Sequence, residues 1–173
     1  MLRILQSTKR RSGHRVSRRA GADPAAVLAA LGARLGAPST VLLDVVVPGM
    51  SVPVDQVVVA PSGVWLLDLH TFDDRIEARP ADDSMYATRQ LVVQGRRARA
   101  ELDLLAEQHA RVCQMLSETS LVFRAMAFGE ELDAVPFQAD GILCGPPAYL
   151  AACISRDGHL DEAAMREIVG TLC

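Results

Sequence analysis

The sequence predicts a mixed α/β domain: a central β-sheet flanked by helices. Three observations carry this reading. Aliphatic and β-branched runs at 40–47, 54–60, 63–70, 120–128 and 141–144 have the length and composition of strands. Segments at 23–36, 88–116, 146–154 and 161–172 place apolar residues three or four apart, as helices do. The two kinds of segment are interspersed along the chain, which favours one layered domain. At 173 residues, 50% hydrophobic and 23% charged, the chain is long enough to bury a real core.

Each element has a local reason. In DPAAVLAALGARLG (23–36), Asp23 suits an N-cap and Pro24 the first helical position. Val27, Leu28, Leu31 and Leu35 form its apolar stripe, and Gly36 and Pro38 end it. TVLLDVVV (40–47) is a strand closed by the turn PGMS (48–51). Strands 54–60 and 63–70 flank a turn at Pro61-Ser62, RIEAR (75–79) reads as a short fourth strand, and PADDS (80–84) as a loop. From Thr88 to Leu116 the spacing of Leu91, Gln94, Ala98, Leu102, Leu105, His109 and Val112 predicts one long helix, weakened near its start by Gly95. SLVFRAMAF (120–128) is a buried strand, 129–140 a polar loop, and GILC (141–144) a short strand before two closing helices.

Charge is distributed unevenly. Residues 1–20 hold seven of the 18 basic residues, among them Lys9, Arg10, Arg11, Arg15, Arg18 and Arg19, and no acid. The remaining 11 face all 21 acids, so residues 21–173 carry a net charge of −10. This divides the chain into a flexible basic arm, 1–20, and a single acidic domain, 21–173. The arm can engage phosphate electrostatically, or dock on the acidic domain itself. No apolar segment follows the arm as a secretory signal would require. The longest weakly polar run, 141–154, is 14 residues with two prolines, too short to span a bilayer. Cys113, Cys144, Cys153 and Cys173 lack metal-ligand spacing and read as buried or idle thiols in a reducing cytoplasm.

The hairpin VDQVVVAPSGVWLLDLH (54–70) raises the functional question. A two-residue loop at Pro61-Ser62 pairs Ala60 with Gly63, hence Val59 with Val64, Val57 with Leu66, and Asp55 with Asp68. Alternation then puts Asp55, Asp68 and His70 on one face. Like charges opposed across a sheet repel unless a cation lies between them. Two converging carboxylates suit Mg²⁺ or Mn²⁺, which prefer hard oxygen ligands. The other reading is that both aspartates cap strand ends at the solvent edge.

The pattern GADPAAVLAAL, VLLDVVVPGMSVPVDQVVVAPSGVWLLDLHTFDDRIEAR, VVQGRRARAELDLL and FQADGILCGPPAYLAACI resembles the nuclease-related domain, the NERD family, over roughly residues 20–172. The resemblance implies the restriction-endonuclease-like PD-(D/E)xK fold. It implies that Asp55 and Asp68 bind a divalent metal, Mg²⁺ or Mn²⁺, that activates water for phosphodiester hydrolysis. Gln94 matches a glutamine found before the long helix. Two positions depart from the pattern. His70 stands where the family has lysine, and an imidazole can accept a proton or ligate metal but supplies no fixed positive charge. The first-helix Glu of the G-E-x-x-V pattern is replaced by Pro24, with Asp23 beside it. Lys9 is the chain's one lysine, so Arg75, Arg79 and Arg89 are the candidates to replace the missing charge.

Two functions follow as expectations. One is a metal-dependent nuclease, acting on DNA rather than RNA, with catalytic residues Asp55, Asp68, His70 and Gln94. The other is a catalytically inactive nuclease-like scaffold that binds nucleic acid or a partner protein. Both are cytoplasmic, with no membrane partner. The isolated Trp65 and Phe72 make no base-stacking platform, and Trp65 is expected in the core.

Overall fold

The computed structural model describes residues 3–6, 24–36, 38–69, 76–80, 89–93, 95–116, 121–128 and 136–173. In chain order the elements are β1 (Arg3–Gln6), α1 (Pro24–Arg34), β2 (Thr40–Val45), β3 (Val54–Ala60), β4 (Gly63–Leu69), β5 (Ile76–Pro80), β6 (Arg89–Val93), β7 (Arg96–Arg97), α2 (Arg99–Met115), β8 (Val122–Ala127), β9 (Phe137–Ala139), β10 (Ile142–Gly145), α3 (Pro147–Ile154) and α4 (Glu162–Leu172). The expected mixed α/β architecture is present. A seven-stranded sheet runs β1-β2-β3-β4-β8-β10-β9, and a three-stranded sheet runs β5-β6-β7.

The central strands β2, β3 and β4 form an antiparallel meander. β8 then lies parallel to β4, which requires a long crossover, and α2 sits in that connection. One face of the sheet packs Val57, Val59, Val64, Leu66 and Met126 against Leu102, Leu105 and Val112 of α2 and Met165, Ile168 and Leu172 of α4. The opposite face packs Val41, Val58, Ala60, Trp65, Leu67, Ala125 and Ala127 against Val27 and Leu31 of α1 and Leu150, Ala151 and Ile154 of α3. Both faces of β3 and β4 are therefore covered, which is why their sequences are almost continuously apolar.

The turn of the central hairpin is locked from outside. Trp65 Nε1 donates to Ser62 Oγ at 3.0 Å, and Ser62 Oγ donates to the Ile154 carbonyl at 2.6 Å. The connection between α3 and α4 lies directly on this turn: Leu160 N donates to the Pro61 carbonyl at 3.1 Å. A Cβ on Gly158 would sit 2.0 Å from that same oxygen, so only glycine fits there. Trp65 is 8% exposed and stacks on Phe123 with centroids 4.5 Å apart, in the core as expected.

Three segments differ from the sequence reading. The stretch expected as one helix from Thr88 begins instead as β6 and β7, and α2 starts at Arg99. Gly95 takes a φ of 76°, and across it Val93 pairs with Arg96. The β-branched Val92 and Val93 favour the extended form, and their apolar neighbours satisfy either period over so few residues. Within the segment expected as a loop, Phe137–Ala139 forms β9, antiparallel to β10. Its turn has Asp140 at φ 50° and Gly141 at φ 71°, and Asp-Gly is a strong hairpin signal that the polar composition obscured. In the arm, Arg3–Gln6 is ordered as β1, parallel to β2 at the sheet edge.

Candidate functional site

The register of the central hairpin is the one its turn predicts. Ala60 pairs with Gly63, Val59 with Val64, Val57 with Leu66 and Gln56 with Leu67. One step further, beyond the last paired rung, Asp55 and Asp68 fall opposite each other. Alternation puts both on the face of Val57 and Leu66, at the open end of the hairpin and half-buried. Asp68 also lies beside Met126 of β8. The pairing of hairpin residues, and so the juxtaposition of the two aspartates, follows from loop length alone.

Asp55 has a structural role as well. Its Oδ2 accepts the backbone N–H of Leu69 at 3.2 Å. The carboxylate thus takes over a ladder position where strand pairing stops, as the strand-capping alternative anticipates. A carboxylate offers about four lone-pair positions, so an amide bond on one oxygen leaves it able to act as a ligand. Metal-ligating carboxylates are ordinarily hydrogen-bonded in this way.

A third aspartate belongs to the same row. Leu43 pairs with Gln56 and Val45 with Val54, which brackets Asp44 opposite Asp55. Asp44 has φ 52°, a left-handed conformation that aspartate tolerates better than most residues, and it is exposed. That twist breaks the alternation of β2, so that Leu42 and Val45 join the same core cluster. Among the described residues no group of three His, Cys, Asp or Glu side chains converges to hold a metal. Asp44 was readable as part of the row only by extending the register from β3 to β2, which the turn at 48–51 does not fix.

The fit to a divalent cation is therefore that of two hard oxygen donors on neighbouring strands, with the remaining coordination left to other groups. His70 and Gln94 lie outside the described residues, as do Arg75 and the arm residues Lys9, Arg10, Arg11, Arg15, Arg18 and Arg19. Of the arginines considered as replacements for lysine, Arg79 is engaged by Glu77, and Arg89 sits exposed on β6.

Beside Asp55, Gln56 is 1% exposed, and neither its Oε1 nor its Nε2 has a hydrogen-bond partner among the described residues. At the turn between β9 and β10, Asp140 is a four-way tie. Its Oδ1 accepts from Arg97 at 2.8 Å and its Oδ2 from Leu91 N at 3.1 Å. Its own N–H donates to the Arg89 carbonyl at 2.9 Å, and its carbonyl accepts from Arg124 at 3.1 Å. This residue fastens the small sheet to the main one.

Among the described residues, His109, His159 and the thiols take no part in the aspartate row. His109 Nε2 lies 3.1 Å from the Val122 carbonyl and 3.6 Å from Cys113 Sγ. His159 is exposed. Cys144 and Cys153 are buried, and Cys113 and Cys173 are exposed. Burial, and then the Asp140 carboxylate, push the Cys144 thiol up to about 12. No helix among the described residues is long and apolar enough to cross a membrane.

Comparison of the chain with protein-family models, with characterised proteins and with solved structures gives no match.

Proposed function

We propose that this chain is a nuclease-related protein of the NERD type, in which Asp55 and Asp68 bind Mg²⁺ or Mn²⁺ for hydrolysis of DNA phosphodiesters. The observation that supports this is the hairpin register, which sets the two aspartates side by side at an open, half-buried strand end. A bound divalent cation would supply an activated water and neutralise charge on the scissile phosphate. The chain's own groups would position it: Asp55 is held in orientation by the Leu69 amide, and Asp68 by its place between β3 and β8. His70, in place of lysine, would accept a proton or complete the ligand set. The basic arm would draw the DNA backbone to an otherwise acidic domain.

The test is metal-dependent nicking of plasmid DNA by the full chain with Mg²⁺ or Mn²⁺, comparing wild type with Asp68→Ala. Nicking abolished in the variant supports the site. Equal nicking by both proteins removes it.

A second reading is an inactive nuclease-like scaffold that binds nucleic acid or a partner protein. The bond from Leu69 N to Asp55 favours it, because it gives that carboxylate a structural task that needs no metal. Calorimetric titration separates the two: Mn²⁺ binding lost in Asp68→Ala supports the metal site, and no binding to wild type supports the scaffold.

A further inference from the structure

Five of the 11 basic residues of the acidic domain lie close together. Of the 11 basic residues in 21–173, Arg89, Arg96, Arg97 and Arg99 fall within eleven consecutive positions, and no acid occurs from 84 to 100. The fold condenses them further. β6 and β7 are paired strands, with Val92 opposite Arg97 and Val93 opposite Arg96, and Arg79 on β5 pairs with Gln90 beside Arg89. With strands about 4.8 Å apart, the group lies within roughly 15–20 Å. All five arginines, Arg79, Arg89, Arg96, Arg97 and Arg99, are exposed.

Two of them are anchored by acids: Arg79 by Glu77 and Arg97 by Asp140. Among the described residues no ion pair joins Arg89, Arg96 or Arg99 to a carboxylate. In a domain with nearly two acids for every base, three neighbouring arginines with no ion pair among the described residues are not the arrangement that surface charge pairing would produce. Arg99 adds an independent sign. It opens α2, where the helix dipole is positive and a cation is unfavourable. The N-cap, Ala98, offers no side-chain acceptor to the first-turn amides, and Glu101 is the one acid of that turn.

We infer that the β5–β7 sheet and the start of α2 form a second nucleic-acid interface, in which Arg89, Arg96 and Arg99 contact the DNA phosphate backbone. The Asp140–Arg97 bond holds this surface rigid against the main sheet, so binding orders few new side chains. The interface does not depend on metal at Asp55 and Asp68.

The experiment is fluorescence anisotropy of a labelled DNA duplex with the full chain, in EDTA and over a series of salt concentrations. The comparison protein is Arg89→Gln/Arg96→Gln/Arg99→Gln. The control, Arg34→Gln/Arg156→Gln/Arg166→Gln, makes the same charge change at exposed positions elsewhere. The first variant is expected to bind at least about tenfold more weakly at low salt, with a log K against log salt slope shallower by roughly 2–3. The control should keep the wild-type slope. An unchanged slope in the first variant, an equal loss in the control, or no binding by wild type overturns the interface. Because EDTA removes divalent metal, these outcomes are independent of whether the aspartate site cleaves DNA.

Discussion

The Leu69 amide donates to Asp55 Oδ2 at 3.2 Å, across the end of the hairpin where backbone pairing has already stopped. This bond makes Asp55 both a closing clasp for β3 and β4 and a candidate ligand. The two roles separate experimentally. Asp55→Ala should destabilise the domain by about 1 kcal/mol, the net worth of one such bond. It should also speed hydrogen exchange of the Leu69 amide, measured by NMR. Asp68→Ala should leave that amide's protection unchanged, and an equal acceleration in both variants would show that the clasp is not specific to Asp55.

Gln56 carries an amide into the core with no partner among the described residues. Desolvating such a group costs about 1–3 kcal/mol. Gln56→Leu, similar in size, should therefore raise stability by about 1–2 kcal/mol in urea denaturation without changing the m-value. A loss of stability would mean that the amide is satisfied in solution.

Asp140 ties the small sheet to the main one through Leu91, Arg97, Arg89 and Arg124. Asp140→Ala removes both carboxylate bonds and places an alanine at φ 50°. A cost of roughly 2–3 kcal/mol is expected. Asp140→Asn keeps one acceptor and tolerates the left-handed backbone, so it should cost clearly less. Equal losses would locate the effect in charge alone.

The Cys144 thiol is pushed up from 9.0 to about 12 by burial first and by Asp140 second. Its proton is thus held in the folded state at pH values where the unfolded thiol has lost it. This contribution to stability is complete below about pH 9 and disappears as pH rises towards 12. Chemical denaturation from pH 8 to 11 should show wild type falling more steeply than Cys144→Ala. In native alkylation at neutral pH, the exposed Cys113 and Cys173 should react and Cys144 should not.

The locally specified parts of the fold were legible in the chain. The central hairpin was readable to the residue, because a two-residue turn fixes register and the register fixes which side chains share a face. The helices at Pro24, Pro147 and Glu162 were readable for a similar reason, each having an apolar stripe and a terminal Pro or Asp. The stretch from Thr88 was not, since a few apolar residues around Gly95 satisfy both periods until a partner strand exists. Packing against β5 decided it.

What the sequence determined by itself was a mixed α/β domain and a hairpin that sets Asp55 opposite Asp68, because both depend on contacts close along the chain. Only the tertiary structure could show Asp44 in the same row, Asp140 joining two sheets, and Arg79 of β5 brought beside the arginines of β6 and β7. Those relationships join residues distant in sequence, and strand pairing and core burial, rather than local pattern, bring them together.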